Sequence, residues 1–388
     1  MFSTILDIKL INKKNRFGNP IVILATFMTH IMNKKYILLI ALIITCFYSF
    51  AQAPKYSNEF LNIGVGARAL GMSNSYITSV NDVTAGYWNP AGLLGIGNQH
   101  QVALMHSEYF AGIAKYDYAA YATRLDSSSV LAFSAIRFGV DDIPNTTELI
   151  DANGNVDYNR ITTFSATDFA FLVSYAKKLK IPGLRIGASA KVIRRRVGSF
   201  AGAWGFGLDA GAQYDYKKWK FAVMARDITS TFNAWTYNLT DQTKAVFLAT
   251  GNTIPTNSVE VTLPKLLMGA ARKFDFTPKV SLLVEANLDA TFDGKRNVLI
   301  QTKVMSIDPH FGLEASYMNL VFLRAGIGNY QTYTDVTGNT VNTFQPNIGV
   351  GVHIKAVTID YALTDIGDQS VALYSNVFSI KVDINKKK

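Results

Sequence analysis

The strongest constraint on this chain is a period-two alternation that recurs along most of its length. In residues 203–216, AWGFGLDAGAQYDY, one set comprises Trp204, Phe206, Leu208, Ala210, Ala212, Tyr214 and Tyr216, and the other Gly205, Gly207, Asp209, Gly211, Gln213 and Asp215. Successive side chains of a β-strand point to opposite faces, so this stretch reads as a strand with one apolar face. In 281–290, Leu282, Val284, Ala286, Leu288 and Ala290 oppose Glu285, Asn287 and Asp289. Leu184, Ile186, Ala188, Ala190 and Val192 likewise oppose Arg185, Gly187, Ser189 and Lys191. Val357, Ile359, Tyr361 and Leu363 oppose Thr358, Asp360 and Thr364.

Such segments cover 99–108, 113–124, 129–139, 167–178, 183–196, 203–216, 219–228, 262–274, 279–290, 309–318, 320–330, 345–355, 356–365 and 372–384, fourteen in all. Each approaches the ~10 residues with which a tilted strand crosses a bilayer, and an even count returns both barrel ends to one side. Residues 296–304 (RNVLIQTKV) are read as loop. If the first strand runs outward, the inner connections 125–128, 179–182, 217–218, 275–278, 319 and the 355–356 junction are all short. The long connections 140–166, 229–261, 291–308 and 331–344 all fall at the opposite end. Short periplasmic turns with long outer loops are the pattern of a transmembrane barrel, whereas a soluble sandwich varies its loops at both ends. The expected fold is therefore all-β: a closed antiparallel barrel of about 14 strands in residues 99–388.

Composition agrees. Apolar residues make up 49% and charged residues 17% of the chain, against roughly 25% charged in soluble domains. The single cysteine, Cys46, falls in a segment read as removable. Residues 32–51 carry Lys34 and Lys35, an apolar run from Tyr36 to Tyr48, and the small-x-small site Ser49-Phe50-Ala51, the layout of a signal peptide cleaved to leave Gln52 first. The apolar run falls short of the ~20 residues of a membrane helix. Residues 1–31 precede this signal and are read as a mis-annotated upstream leader, with Met32 the start. Removing 1–51 takes away six of the 38 Lys and Arg and one of the 28 Asp and Glu, leaving 32 against 27, or +5. That is too mild a charge to indicate nucleic acid.

No motif points to catalysis. His100, His106, His310 and His353 lack metal-ligand spacing, and no metal or cofactor is expected. GVGARALG (64–71) brushes the dinucleotide pattern with its third glycine misplaced and no βαβ context. DANGNVD (151–157) starts like a calcium loop, but Val156 stands where the turn glycine belongs, so a turn at Asn153-Gly154 is expected instead. Asp209, Asp215, Glu285 and Asp289 face the lumen by alternation and give a polar interior rather than an active site. Leu172, Ala176 and Leu283 make the same face partly apolar. Arg194-Arg195-Arg196, at the outer end of a strand, is read as an interface cluster snorkelling at the membrane edge.

The stretch 58–96, NEFLNIGVGARALGMSNSYITSVNDVTAGYWNPAGLLGI, resembles the opening of the PorV/PorQ family of Bacteroidetes outer-membrane proteins. The matching elements are LNIGVGARALGM (61–72), Asn81-Asp82 and WNPAGL (88–93), with softer matches at Gly312-Leu313-Glu314 before Tyr317 and at Leu323-Arg324-Ala325-Gly326. The Asn-Pro-Ala-Gly element is also similar to the N-terminal region of FadL-type channels. The chain departs from the usual outer-membrane ending, closing on Ile384, Asn385 and three lysines rather than a terminal aromatic.

The resemblance implies a fourteen-stranded outer-membrane barrel whose residues 52–98 plug or cap the lumen. It further implies a non-enzymatic role in type IX secretion, binding or shuttling cargo C-terminal domains and contacting translocon or attachment-complex proteins. The aromatic stretch STFNAWTYN, within 229–261, would suit such contacts. The alternative is a FadL-like channel for hydrophobic small molecules. Gly64, Gly66, Arg68, Gly71, Trp88, Asn89, Pro90 and Gly92 are the candidate plug and hinge residues, with no catalytic, cofactor or metal residue among them. Tyr87 and Trp88 are expected to anchor at the barrel wall, and Asn89 to Gly92 to turn the plug into the first strand, because Pro90 disfavours helix at Asn89 and Gly92 permits reversal.

Overall fold

The chain folds as a barrel closed by its first and last strands. The computed structural model describes residues 57–385 except 111, 150–154, 336, 365 and 367–373. The signal and leader segments, Cys46 and the Asn153-Gly154 turn lie outside the described residues. Fourteen staves follow in order: β1 (His100–Tyr109), β2 (Ala114–Asp126), β3 (Ser129–Asn145), β4 (Thr162–Lys178), β5 (Leu184–Val197) and β6 (Ala201–Tyr216). Next come β7 in two pieces (Trp219–Arg226 and Thr231–Tyr237), β8 in two pieces (Ser258–Thr262 and Lys265–Asp275) and β9 (Val280–Thr291). The series ends with β10 (Ser306–Tyr317), β11 (Val321–Thr334), β12 (Thr340–Ile354), β13 (Val357–Thr364) and β14 (Ser375–Ile384). Each stave pairs antiparallel with the next, and β14 pairs with β1 from His100 opposite Ile384 to Glu108 opposite Asn376. Closure leaves no open edge, so every ladder group is satisfied in hydrocarbon, where an unpaired one would cost several kcal/mol. Among the described residues, no helix is long and apolar enough to cross a membrane.

Alternation sorts the side chains as the sequence requires. On β6, Trp204, Phe206, Leu208, Tyr214 and Tyr216 are exposed on the outer face, while Gly205, Gly207, Asp209 and Gln213 are buried inward. Such an apolar outer face facing water would be a large exposed patch; facing lipid it is solvated. The connections at one barrel end are all short and the long ones, 146–161, 238–257 and 292–305, all lie at the other, as expected; the expected long connection 331–344 is instead a short one, 335–339. Lys217-Lys218 and Lys355-Ala356 are two-residue turns with left-handed Lys217 (φ 54°) and Lys355 (φ 55°). Residues 296–304 remain a connection, apart from the rung Ile300–Gln301 against β10.

Strand ends differ from expectation at the long-loop end. β3 runs on to Asn145, β4 begins at Thr162, and β11 and β12 pair out to Thr334 opposite Thr340. Hydrophobic alternation reports only the part of a stave in lipid; the ladder continues beyond it with polar residues on both faces. The reading of 229–261 as one long loop is corrected more strongly. STFNAWTYN is mostly the second piece of β7, with Ala201–Phe206 opposite Tyr237–Phe232. Asp227 and Ser230 both take left-handed backbone (φ 58° and 57°), and this break hid the period from the sequence. The Arg194–Arg196 cluster divides as well: Arg194 lies over the Trp204 ring at 5.0 Å, whereas Arg195 bonds Asp168 at 2.9 Å.

The lumen is filled from within. Residues 57–98 form a plug of short turns, including α1 (Ala67–Gly71), α2 (Ala85–Trp88) and 3-10 turns at Glu59–Asn62 and Pro90–Gly95. Val65, Ala67, Met72, Ile77, Val83 and Leu93 of this plug are completely buried, against inward Tyr116, Ile136, Ala170, Ile193 and Met224 of the wall. At ~1.5–3 kcal/mol per large buried apolar side chain, this shared core is the main reason the plug stays inside. The final helix, α3 (Asp241–Ala249), lies in the β7–β8 connection.

Candidate functional site

The plug meets the wall through buried polar groups distributed along its length. Near its start, Asn233 Nδ2 donates to Asn58 Oδ1 at 2.8 Å and Asn58 Nδ2 donates to Thr262 Oγ1 at 2.8 Å. At α1, Arg68 Nε and Nη2 each donate to Glu314 at 2.7 Å. Arg324 bonds the same carboxylate at 2.7 Å and Asp360 at 2.7 Å. The result is a chain of charges, Arg68–Glu314–Arg324–Asp360, that ties α1 to β10, β11 and β13. A charge-assisted bidentate pair of this kind fixes orientation as well as distance.

The next turn is held by backbone contacts. Glu285 accepts from the Thr78 and Ser79 N–H groups at 2.8 and 3.0 Å. Gln213 Nε2 lies within hydrogen-bond distance of the Ile77, Thr78 and Val80 carbonyls, at 3.1–3.2 Å. Asp82 pairs with Lys381 of β14 at 3.0 Å and takes a bond from the Tyr76 hydroxyl at 3.2 Å. Burial opposes the charged Asp82 carboxyl, yet Lys381, the Thr84 hydroxyl and Arg68 outweigh it and hold its pKa down at about 2.

The candidate hinge residues all lie in this plug. Gly64 (φ +102°) occupies backbone that L residues rarely adopt, and a Cβ there would sit 3.1 Å from the Trp88 ring. Gly71 lets α1 approach Gly349 of β12, where a Cβ would be 3.0 Å from its Cα. Gly66 precedes α1, and its N–H meets Met105 Sδ at 2.9 Å. Asn89 is fully buried; its Nδ2 donates to the Ala212 carbonyl at 3.2 Å, and its Oδ1 caps the Pro90–Gly95 turn through the Ala91 N–H. Gly92 is packed under Val80, where a Cβ would lie 2.5 Å from the carbonyl oxygen. Trp88 corrects its expectation: it anchors within the plug, donating to the Val65 carbonyl at 2.8 Å and standing edge-on to Tyr76 and Tyr87. Tyr87 does reach the wall, since Arg226 lies over its ring at 4.7 Å.

The wall partners Glu314 and Arg324 sit inside the two softer family matches, but sequence gave no reason to pair them with Arg68. Asp360 and Gln213 are legible in the sequence only as inward positions, and Lys381 only as a member of the last strand. Asp209, one of the expected lumen carboxylates, joins Lys191 and Asp227 in a second buried ion cluster at the β7 break, with Lys191 Nζ 2.8 Å from Asp209. Asp215 pairs with Arg185 at 2.9 Å. Among the described residues, no group of three or more His, Cys, Asp or Glu could hold a metal.

A cavity of about 560 Å³ lies over the plug. Its wall comes from the breaks in β7 and β8 (Arg226, Lys265), the later parts of β1, β3, β9, β11 and β13 and the earlier parts of β10 and β12, which places it towards the long-loop end. Its floor is the plug itself, through Glu59, Asn62, Ser73, Asn74 and Trp88. The volume lies within the ~300–1,000 Å³ common for small-molecule sites.

No family model matches the chain, and no curated protein does. Solved structures do. The toluene transporter TbuX of Ralstonia pickettii aligns over 83% of this chain and 99% of its own, with a TM-score of 0.50 and 14% identity. The monoaromatic hydrocarbon channel CymD aligns over 84% and 98%, with a TM-score of 0.52 and 12% identity. The toluene transporter TodX of P. putida aligns over 84% and 99%, with a TM-score of 0.51 and 13% identity. The chain shares the fold of these barrels. A closed barrel of this fold with an apolar outward face lies in the outer membrane.

Proposed function

We propose that this FadL-like barrel is a plugged channel, in which a small solute enters the cavity at the long-loop end and passes when the N-terminal plug yields. The observation that carries this reading is the cavity whose floor is the plug: a bound solute would touch Asn62, Ser73 and Asn74 directly. The covering of TbuX, CymD and TodX almost end to end supports the same architecture. The hinge is the Asn89–Gly92 turn. Converting Asn89 and Pro90 to alanine removes the bonds to Ala212 and Ala91 and the fixed φ, and is expected to raise solute flux into proteoliposomes several-fold. The wild type and this variant being equally impermeable to every solute in a size and polarity series would rule the channel out.

A second reading is favoured by the outer surface. Tyr158, Val304 and Leu248, exposed by 74%, 74% and 66%, all project from long connections at one barrel end. Together with the PorV/PorQ-like opening, they support a type IX secretion role in which the loops bind cargo C-terminal domains or translocon proteins. Affinity capture with the tagged barrel, with and without Tyr158→Ser and Val304→Ser, tests this. Loss of cargo-domain recovery in the variants supports it, and absence of such proteins from the wild-type capture refutes it.

A further inference from the structure

The expected apolar lumen residues do not line the space a solute could enter. Leu172 and Ala176 are buried in the core shared with the plug, and Leu283 packs against it. The open cavity is instead mixed: Ile63, Leu70, Trp88, Phe110, Phe138 and Leu267 share its wall with amides and charged side chains. It holds three cationic side chains, Arg226, Lys265 and Arg296, against three acidic ones, Glu59, Asp289 and Asp308. That balance concentrates neither anions nor cations.

We infer that the cavity is a binding site for a neutral saccharide of one or two rings. This deepens the channel reading and rests on it. Side-chain amides dominate one wall, where Asn329 Nδ2 donates to Gln345 Oε1 at 2.5 Å and Gln331 Nε2 to Asn329 Oδ1 at 2.8 Å. An amide offers donors and acceptors together, as a sugar hydroxyl does, so the two satisfy each other without charge. Hydrocarbon gains nothing from these amides, and covering them would displace water from groups that lose 1–3 kcal/mol each when left unpaired, by typical estimates. Among the described residues, three buried polar atoms lining the cavity, Asn74 Oδ1, Asp308 Oδ1 and His310 Nδ1, have no hydrogen-bond partner. The two oxygens are acceptors ready for ligand hydroxyls.

The rim supplies the apolar face that a sugar ring also needs. Phe110 is half exposed at the β1–β2 turn and takes left-handed backbone (φ 54°), an unusual conformation for an aromatic residue. Its ring lies 6.3 Å from that of Tyr109, and Phe138 backs the same wall. An aromatic face beside a row of amides matches the C–H face and hydroxyl edge of a pyranose.

The test is calorimetric titration of the purified full-length barrel in detergent with glucose, maltose and cellobiose, and separately with toluene and laurate. The result expected is saccharide binding with a Kd on the order of 1 mM, weakened about tenfold or more by Phe110→Ala and by Gln331→Ala, with both variants retaining the heat-modifiable folded band. No saccharide heat, with toluene or laurate binding instead, overturns the inference, as does saccharide binding indifferent to both variants. Saccharide binding without flux in proteoliposomes upholds the site and removes the channel. Flux of other solutes without saccharide binding does the reverse.

Discussion

Arg68 is the residue on which the plug's seat turns. Its guanidinium spans the plug and β10, and removing it leaves Glu314 buried with only Arg324 to answer it. Breaking a buried pair from one side costs ~3–5 kcal/mol, reduced here because the Arg68 side chain is 20% exposed. Arg68→Leu is therefore expected to destabilise the folded barrel by roughly 2–4 kcal/mol in urea unfolding in detergent; a shift within 0.5 kcal/mol of zero would contradict this. Asp82 adds a pH signature. Its folded pKa of about 2 lies below the ordinary 3.8, so its contribution is present in full above pH ~4 and is lost as pH falls toward 2. The plug's fluorescence signature (Trp88, Tyr76 and Tyr87) should hold from pH 8 to about 5 and change between about 4 and 2, and Asp82→Asn should abolish the dependence. A transition centred near pH 6 would assign the seat to another group.

At the scale of elements, the contact between plug and wall depends on missing side chains. Gly187 of β5 faces the Pro90–Gly95 turn, and a Cβ there would collide with the Pro90 backbone and come within 2.5 Å of the Ala91 nitrogen. Gly326 of β11 meets the Met72 backbone in the same way. Backbone cannot move aside as a flexible side chain can, so the turn must lift. Gly187→Ala is expected to cost ~1–3 kcal/mol by overpacking and to raise flux as the Asn89/Pro90 variant does. Gly97→Ala, with open space around it, is the control and should change neither. In the sequence Gly187 is visible only as a small member of an alternating face, and Gly326 only as part of a softer family match. Their reason is the plug, and alternation carries no information about what lies opposite.

For the whole molecule, the parity of the connections sets sidedness. The 146–161 and 302–305 connections share one end with the cavity; Lys217-Lys218 lies at the other. In intact cells, cysteine at position 158 or 304 should react with a membrane-impermeant maleimide, and cysteine at 217 only after the outer membrane is opened. The reverse labelling would invert the barrel and put the cavity on the inner side.

The sequence by itself determined the barrel, its fourteen staves, the lipid-facing set and the segregation of turns from loops. Each is local: a period of two and a count of residues between periods suffice. It did not show that 231–237 is strand, because two left-handed residues interrupt the period just before it. Nor could it pair Arg68 with Glu314, 246 residues away, or Asp82 with Lys381, 299 away. An inward carboxylate has many inward cations to choose from, and only closure of the barrel around the plug brings one of them within 3 Å. The same closure decided that Leu172, Ala176 and Leu283 became core, while the open cavity kept amides and balanced charges beside apolar residues of its own.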